Sequence, residues 1–527
     1  MRIRIRFNTL CLVAVWAFSS SALAQDRVDY PGWMKDLELP DYSYAGYALV
    51  PESIEPPDLP VIHVRDYGAI PGDRKSDKAA IAKAIRAGEV KGGAIIQFDA
   101  GRYLVGEKEQ EKSGFVINSP NIIIRGTRPS AESPRGTVLY MRHSLAPADP
   151  KKMYSCPPLL NFQHKSKGKP LTSITADTAK GGYQISVQDP GRLEVGHYVA
   201  LTMRNPAATP SHLAGLEPWS IWTNTIEKGT RVRGERHRIV AIDGSQVTFH
   251  EPIMIDIWAE HGWDVESCPM AEGWVVEDMT FVGEVPTPWV HHKNADHDSG
   301  WTMIGFNRGF APVIRRCRFV SVSTAAFING SYGGTAIDNE VLGRRGHYSI
   351  SSGGGSYGTL IAFNKDLTKE GQWHGFGASH GAVGTVIYRN LNSKRGFDHH
   401  SGTSIAYATL IDVNTGGIFG SGGNYKNLPN HLHDLTFWNF KQTHDKRHEN
   451  YDWWSPRRGN EKYSGTKVVY PRIVGYHGIR TTFKPDSCSH IHSHGKPVQP
   501  ESLFEFQVKN RLGSLPLWMT SEESRQK

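Results

Sequence analysis

Cysteine, charge and long apolar runs are all scarce in this chain of 527 residues. Five cysteines are too few for a disulfide framework. Charged residues make up 21% of the chain and hydrophobic residues 39%, which excludes a disordered acidic or basic tail protein. No apolar run reaches the roughly 20 residues of a membrane-spanning helix. The composition therefore predicts a folded chain with a large core.

Several familiar functional motifs are also missing. The chain has no Gly-x-Ser-x-Gly elbow between a strand and a helix, no P-loop and no dinucleotide-binding fingerprint. Glycine is common, at 54 residues, but it has no three-residue period. This pattern excludes collagen and favours a fold rich in turns.

The first 24 residues resemble a secretory signal peptide. Arg2, Arg4 and Arg6 precede a short apolar stretch, and Ala22-Leu23-Ala24 is typical of a cleavage site. We expect cleavage after Ala24 and a secreted or periplasmic protein. Loss of the three arginines lowers the formal net charge from +8 to +5, which is too mild to indicate a polyanionic partner by itself.

Four cysteines remain after this cleavage, and the sequence does not determine whether or how they pair. Cys317 lies in an apolar strand pattern and is predicted to be a buried thiol. The four residues are Cys156, Cys268, Cys317 and Cys488.

The region from residue 61 to residue 105 has the order strand, helix, Gly-Gly, strand, strand. Ser76 is the predicted N-cap of the helix, and Gly92-Gly93 breaks the chain after it. The motif residues are Asp66-Tyr67-Gly68-Ala69, Gly72-Asp73, Asp77, Ile81, Ile85, Gly92-Gly93 and Phe98-Asp99-Ala100-Gly101-Arg102-Tyr103.

This pattern resembles the N-terminal entry of the pectate-lyase-like superfamily of right-handed parallel β-helix proteins. The chain departs from that pattern at Arg74-Lys75, Lys78 and Asp99. The resemblance implies an all-β, right-handed parallel β-helix with an N-terminal capping helix. It also implies a polysaccharide-active protein, although a fold alone does not determine a function.

A repeat of about 24 residues supports the solenoid prediction. Six four-residue runs can be superimposed, and their last members step by 22, 25, 26, 24 and 21 residues. Four of these last members are asparagines, which are expected to form an internal ladder because stacked amides bond from coil to coil. The runs end at Cys317, Asn339, Asn364, Asn390, Asn414 and Leu435.

Between two sets of coils the pattern changes to alternating apolar and polar residues, with a hairpin signal at Asp243-Gly244. A small antiparallel β insertion is predicted there. The predicted organisation is a signal peptide (1–24), an irregular leader (25–60), an N-terminal cap with the first coils (61–169), the antiparallel insertion (170–272), the main coils with the active-site groove (273–445), and a C-terminal cap and tail (446–527).

The polar loops that follow the ladder asparagines are the candidate site. Equivalent positions on neighbouring coils lie about 4.8 Å apart, so His347, His374 and His400, which are 27 and 26 residues apart, are expected to stack. A loop from Trp289 to Asp298 could close over them. The predicted catalytic residues are His374, Asp398, His399 and His400. The predicted substrate-binding residues are Arg345, His347, Lys369, Trp373, His380, Lys394 and Arg395.

A groove rich in cations and imidazoles suits β-elimination of a uronate polymer, with a neutral histidine as the base and Asp398 orienting an imidazole. The partner is then an acidic polysaccharide. No nucleic acid partner and no membrane insertion are expected, and the chain is expected to be a monomer. A glycoside hydrolase remains an alternative, although no acidic doublet stands out to supply its two carboxyl groups. A non-catalytic carbohydrate-binding β-helix is a second alternative.

No metal ligand is assigned from the sequence. The resemblance implies calcium as a possible cofactor, since many lyases of this fold use it. Calcium requires clustered carboxylates, and the candidates are Asp296, Asp298, Asp338 and Asp366.

Overall fold

A computed structural model describes residues 30–46, 58–109, 111–212, 233–392, 398–400, 405–417, 420–422, 429–444, 447–453 and 468–526. The predicted signal peptide, Lys394 and Arg395 lie outside these residues. For Asp398, His399 and His400 only the backbone is described.

The chain is a right-handed parallel β-helix in which each full coil contributes one strand to each of three parallel sheets. The first sheet contains 12 strands among the described residues. They are β1 (Val61–His63), β2 (Ala94–Gln97), β5 (Ile122–Arg125), β14 (Val275–Glu277), β17 (Val313–Arg315), β20 (Thr335–Ile337), β23 (Leu360–Ala362), β26 (Val386–Tyr388), β29 (Thr409–Asp412), β32 (Leu435–Trp438), β34 (Arg472–Val474) and β36 (His490–His492).

The second sheet follows the first after one to three residues in each described coil except that of β5 and β6, where 11 residues intervene. In the described part of the chain its strands are β3 (Gly101–Val105), β6 (Thr137–Met141), β15 (Met279–Val282), β18 (Arg318–Val320), β21 (Glu340–Leu342), β24 (Lys365–Asp366), β27 (Leu391–Asn392), β30 (Thr415–Gly416), β33 (Lys441–Gln442) and β35 (His477–Gly478).

The third sheet closes each coil. Within the described ranges its strands are β4 (Phe115–Ile117), β7 (Leu160–Gln163), β16 (Thr302–Asn307), β19 (Thr324–Asn329), β22 (Tyr348–Gly353), β25 (Gly377–Ser379), β28 (Asp398–His400) and β31 (Gly420–Gly422). The loops that join the second sheet to the third differ in length from coil to coil, and they carry the candidate site.

Apolar side chains in register fill the interior of the first sheet. Ile314 pairs with Ala336, and Ile361 follows in the next coil. The column continues in both directions, and every member is fully buried: Ile96, Ile124, Val276, Ile314, Ala336, Ile361, Ile387, Ile411, Phe437 and Ile473. One such residue in each period therefore builds a continuous core.

The predicted asparagine ladder is confirmed. The Asn364 side-chain oxygen accepts bonds from the Asn339 backbone N–H (3.0 Å) and side-chain amide (2.9 Å). The Asn390 side-chain oxygen accepts the same two groups of Asn364, the backbone N–H at 2.8 Å and the side-chain amide at 3.0 Å. The Asn414 oxygen accepts those of Asn390, at 2.7 and 3.1 Å. Asn364 and Asn390 thus occupy equivalent turns of neighbouring coils.

The predicted last member of the repeat is wrong. The prediction placed Leu432 in register with Ile411, but Ile411 pairs with Phe437. Phe440 therefore follows Asn414 in the column, and the amide ladder ends there. The step from Ile411 to Phe437 is 26 residues, the same as the step from Ile361 to Ile387, so the predicted run at Leu432 was placed five residues too early. The parallel strands then continue past residue 445, through β34 and β36.

Helix α1 (Lys78–Val90) caps the N-terminal end and buries Ile81, Ala84 and Ile85. The predicted N-cap, Ser76, is replaced by Asp77, one residue later. The Asp77 carboxylate does not cap the helix. It accepts the backbone N–H groups of Ile70 (2.9 Å) and Leu104 (2.8 Å), which ties the helix to the second sheet.

The predicted insertion is a six-stranded antiparallel sheet in the described residues. Its strands are β8 (Pro170–Ser173), β9 (Gln184–Ser186), β10 (Tyr198–Met203), β11 (Arg233–Asp243), β12 (Gln246–Phe249) and β13 (Trp263–Ser267). Asp243 pairs with Gln246 across the predicted Asp-Gly hairpin.

A buried polar network joins the insertion to the coils. His237 bonds Glu235 through one ring nitrogen and Glu251 through the other, both at 3.0 Å. Tyr332 and Tyr407 from the coils donate their hydroxyl groups to Glu251 (2.6 Å) and Glu235 (3.2 Å). All five side chains are buried, so the pairing offsets the cost of removing their charges from water.

The remaining helices are short or lie at the chain ends. No helix in the described part of the chain is long and apolar enough to span a membrane. The helices are α2 (Thr209–His212), α3 (Ala295–Asp298), α4 (Leu503–Leu512), α5 (Leu517–Thr520) and α6 (Glu522–Gln526), with 3-10 turns at Gly32–Leu37, Tyr42–Tyr44, Val64–Tyr67, Pro190–Arg192, Pro206–Ala208, Ala259–His261 and Pro485–Ser487.

All four described cysteines are free thiols. Cys317 is fully buried, as predicted. Burial raises the pKa of its thiol well above the usual range.

Candidate functional site

A cluster of histidine and tryptophan side chains lies where the loops from the second sheet enter the third sheet. His347 directly precedes β22, and His374 lies three residues before β25. Their ring centroids are 4.9 Å apart. The loop 283–301, which joins β15 to β16, adds Trp289, His291 and His292 to the cluster.

Close packing of neighbouring coils brings His347 and His374 together. The backbone N–H of His374 donates to the carbonyl of His347 at 2.7 Å, and the His347 N–H donates to Ser323 at 2.6 Å. Gly346 permits this approach, because a Cβ there would overlap the carbonyl oxygen of Val322.

A buried carboxylate shapes the turn that carries Trp373 and His374. Asp366 accepts the hydroxyl groups of Ser349 (3.0 Å) and Thr368 (2.6 Å) and the backbone N–H of Gln372 (2.9 Å). Burial raises the pKa of Asp366, although these hydrogen bonds oppose that rise. The Gln372 side chain then accepts the N–H of Gly346.

The loop 283–301 is held over His347. The His347 Nδ1 lies 3.0 Å from the carbonyl oxygen of Asp298. Asp298 Oδ1 accepts the backbone N–H of His292 at 3.0 Å, and Trp289 Nε1 donates to the His297 carbonyl at 2.7 Å. Helix α3 begins at an Asn294 cap, whose side-chain oxygen accepts the His297 N–H at 3.2 Å.

These bonds determine the chemical state of His347. A carbonyl oxygen can only accept, so Nδ1 carries the proton and Nε2 carries a lone pair. Burial, followed by the neighbouring His374, His291 and His292, lowers the pKa of His347 well below its usual range. The imidazole is therefore neutral. Its Nε2 is buried and has no hydrogen-bond partner among the described residues.

Aromatic contacts order the rest of the cluster. His291 stacks on Trp373 at 4.6 Å and lies 5.5 Å from His374. His374 also stacks on Tyr348, at 4.4 Å. Trp289 and Trp373 are half-buried, with their rings 5.6 Å apart. His347 and His374 are 6% and 2% exposed, whereas the side chain of His292 is 44% exposed.

Two groups of side chains in the described part of the chain have the composition of a metal site. The potential ligand atoms of His291, His347 and His374 all lie within 4.8 Å of one another. A second group, His292, Asp298 and His347, meets the same limit.

The carboxylates suggested for calcium do not fit that ion. Asp338 pairs with Arg525 at 3.2 Å, and Asp296 accepts the hydroxyl of Ser144 at 2.5 Å. Asp366 is saturated by the hydrogen bonds described above. No three of the four candidates come together in the described residues, so no step of a mechanism is assigned to calcium.

The predicted site residues are only partly brought together. His347, His374 and Trp373 meet. Arg345 lies beside them, but its guanidinium donates to the carbonyls of Gly371 (2.8 Å) and Glu370 and pairs with the Glu370 carboxylate (3.1 Å). Lys369 is exposed. His380 lies beyond the opposite end of β25, where it bonds Ser379 at 3.0 Å.

The predicted stacking of His400 on His374 is wrong. In the register of the third sheet, His400 pairs with Ser379 and Asp398 pairs with Gly377, while His374 pairs with Tyr348. The spacing misleads because His374 lies three residues before β25, whereas His400 is the last residue of β28. The side chains of Asp398, His399 and His400, and all of Lys394 and Arg395, lie outside what the structure describes.

The loop from Trp289 to Asp298, which the sequence suggested could close over the histidines, does lie against His347. His291, His292, Lys293 and Tyr348 were, however, not predicted as site residues. The sequence does show a signal, since His291-His292 and His297 crowd one loop. Nothing in the repeat, however, indicates where a loop outside the 24-residue period will lie.

Two family models match parts of the chain. Residues 61–119 match the model described as rhamnogalacturonase A/epimerase, pectate lyase-like. This match covers the segment in which the sequence pattern indicated the pectate-lyase-like superfamily, and it confirms that prediction. Residues 371–522 match a domain of unknown function, DUF4955, which includes His374. No curated protein matches the chain.

Several solved structures are similar to this chain at low identity. The tailspike of Pseudomonas phage LKA1 is 13% identical, with a TM-score of 0.41 over 79% of this chain and 69% of that one. The surface adhesin PfbA of Streptococcus pneumoniae is 12% identical, with a TM-score of 0.37 over 79% and 84%. A mannuronan C-5 epimerase module of Azotobacter vinelandii is 11% identical, with a TM-score of 0.31 over 83% and 100%.

Proposed function

We propose that this protein is an exported enzyme that cleaves an acidic, uronate-containing polysaccharide by β-elimination. The observation that carries this proposal is the convergence of His291, His292, His347 and His374 with two half-buried tryptophans at one edge of the third sheet. The description of the family model that matches residues 61–119, a pectate-lyase-like one, favours the same class of substrate.

β-Elimination requires a base beside the C5 proton of the uronate and positive charge at its carboxylate. His292 is the most exposed imidazole that the cluster contacts, and we assign it as the base. Its Nε2 lies 3.7 Å from Asp298 Oδ2, and ring stacking on His291 at 3.7 Å holds the imidazole in place. Lys293 and Lys369 are exposed, and either ammonium group could hold the substrate carboxylate.

His347 and His374 have a different role in this proposal. At 6% and 2% exposure, neither ring can approach a sugar while the loop 283–301 covers it. These two histidines therefore support the loop and the tryptophans from below. Trp289 and Trp373 provide an aromatic surface for a sugar ring.

A hydrolase is the weaker candidate. It needs two carboxyl groups about 5 to 9.5 Å apart on either side of the bond to be cleaved. Asp298 and Asp366 are carboxylates of the described site, and both are fully buried and hydrogen-bonded within the protein.

The test is incubation of the purified protein with a panel of uronate-containing and sulfated glycans. Product is measured in parallel by the ultraviolet absorbance of the new C=C bond and by reducing ends. We expect both signals on at least one uronate polymer. Reducing ends without the absorbance would identify a hydrolase. Binding without any product would identify a carbohydrate-binding protein. Either result would overturn the proposal.

A variant pair tests the assigned base. His292→Ala should lower kcat by about 10²- to 10⁴-fold, the usual contribution of a general base, with the unfolding temperature unchanged. His197→Ala removes another exposed histidine, which pairs with Glu194 in the insertion, and should keep full activity. Full activity of His292→Ala on a substrate that the wild type cleaves would show that the base is another residue.

A further inference from the structure

Three imidazoles from separate parts of the chain meet beneath the loop 283–301. His291 belongs to that loop, His347 precedes β22, and His374 lies before β25. Their potential ligand nitrogens lie within 4.8 Å of one another. The mechanism of β-elimination proposed above requires no such arrangement of the two buried rings.

The orientation of His347 is typical of a metal ligand. A ligating imidazole usually donates its second ring N–H to a backbone carbonyl or a carboxylate, which fixes the ring and directs the lone pair toward the ion. His347 donates Nδ1–H to the carbonyl of Asp298 at 3.0 Å. Its Nε2 is buried and accepts no hydrogen bond from any described residue.

The other two rings are held in place by stacking. His374 stacks on Tyr348 at 4.4 Å, and its backbone is bonded to His347. His291 stacks on Trp373 at 4.6 Å and on His292 at 3.7 Å. Because these contacts limit the movement of the rings, little ordering remains to be done when a ligand enters.

We propose that His291, His347 and His374 bind one divalent transition-metal ion, with zinc as the first candidate. Three imidazoles suit zinc, copper, iron or nickel, whereas calcium and magnesium prefer oxygen ligands. Nitrogens about 2.0–2.1 Å from a tetrahedral zinc ion are roughly 3.3 Å apart. The rings must therefore close together by no more than roughly 1.5 Å. A water molecule would complete the tetrahedron.

The second group, His292, Asp298 and His347, is a poorer site. Asp298 Oδ2 has no hydrogen-bond partner among the described residues and could bind an ion, but the His292 side chain is 44% exposed to solvent, so this group would hold the ion less rigidly. Both groups share His347, so variants of His374 and His292, which each belong to one group alone, distinguish between them. The proposal concerns the ion alone and holds whether or not the protein is a lyase.

The test uses the untagged protein, stripped with a chelator and dialysed against zinc, with bound zinc measured by elemental analysis. Cobalt(II) in place of zinc gives a visible spectrum that reports on the coordination geometry. We expect the wild type to bind one more zinc ion per chain than the variants His347→Ala and His374→Ala. Its affinity should exceed theirs at least about 10-fold, since loss of even an outer hydrogen bond to a ligand costs that much.

Two further variants make the result interpretable. His291→Ala alters a half-buried loop residue, so loss of the ion there cannot be attributed to a collapsed core. His197→Ala, an exposed histidine in the insertion, should retain the ion. Equal zinc binding by the wild type and the three ligand variants would overturn the proposal. So would loss of zinc in His292→Ala with retention in His374→Ala, because the ion would then belong to the second group.

Discussion

The Asn364 side-chain oxygen accepts two hydrogen bonds from Asn339 in the preceding coil, one from the backbone N–H and one from the side-chain amide. The Asn364 amide in turn donates to the carbonyl of Ala336 at 2.9 Å and to Asn390 at 3.0 Å. A single buried residue thus satisfies polar groups in the coils on both sides of its own.

Replacing this residue should destabilise the whole solenoid. Asn364→Ala leaves buried donors and acceptors without partners, each at a cost of about 1–3 kcal/mol, so we expect a loss of at least about 3 kcal/mol in the free energy of unfolding. Denaturant titration measures it. Asn510→Ala, at an exposed position on α4, should change stability by less than about 0.5 kcal/mol. Equal effects in the two variants would refute a stabilising role for the ladder.

Stability should fall as the pH rises above neutral. Burial alone would lower the pKa of His237, but its hydrogen bonds to Glu235 and Glu251 outweigh burial and raise that pKa to about 9. The stabilisation is complete below the unfolded pKa of about 6.5, and it is lost as the pH rises through about 9.

Unfolding temperatures measured from pH 6 to pH 10 test this expectation. The wild type should lose stability between about pH 6.5 and pH 9. His237→Gln, which cannot carry the charge, should be less stable at pH 6 and should show a flatter profile. Parallel profiles of the two proteins would exclude His237 as the titrating group.

Gly346 should be intolerant of any side chain. A Cβ at this position would overlap the Val322 carbonyl of the preceding coil, so Gly346→Ala must push two coils apart next to His347. We expect a lower unfolding temperature together with loss of metal binding. Gly191→Ala, where the added Cβ would meet only Asp189 Oδ1 at 3.6 Å, is the matched control and should behave like the wild type.

Arg345 provides a test between a structural and a substrate-binding role. Its guanidinium holds the carbonyls of Glu370 and Gly371, in the turn that leads to Trp373 and His374. Arg345→Ala should therefore lower both the unfolding temperature and kcat. If the residue instead binds the substrate carboxylate, KM should rise with the unfolding temperature unchanged.

The fold could be predicted from the sequence because its physical causes recur in each coil. An apolar residue in each coil and an asparagine in four consecutive coils, as at Ile361 and Asn364, are enough to define the stacking register. The prediction fails after Asn414 because the next coil has Phe440 where the four earlier coils have asparagine, so no amide marks the register there.

The candidate site was less predictable because it depends on the irregular turns. His374 lies three residues before β25, whereas His400 is the last residue of β28. A spacing near one period therefore brings His374 beside His347 but does not bring His400 beside His374. His291 lies 56 residues before His347, a separation that no repeat explains. Such a contact depends on the path of one long loop, and the repeat pattern carries no information about that path.

The path of the loop 283–301 depends on the short turn in the neighbouring coil. The loop 283–301 starts two coils before the strand that follows His347, and it must cross the intervening coil, where residues 321–323 alone join β18 to β19. The loop rests on this turn, because Val285 N–H donates to Ser321 at 3.1 Å and Trp301 N–H donates to the Ser323 hydroxyl at 3.0 Å. The short turn therefore supports the loop 283–301 from below. A few residues added there would lift the loop and separate Asp298 from His347, although no side chain of the cluster had changed.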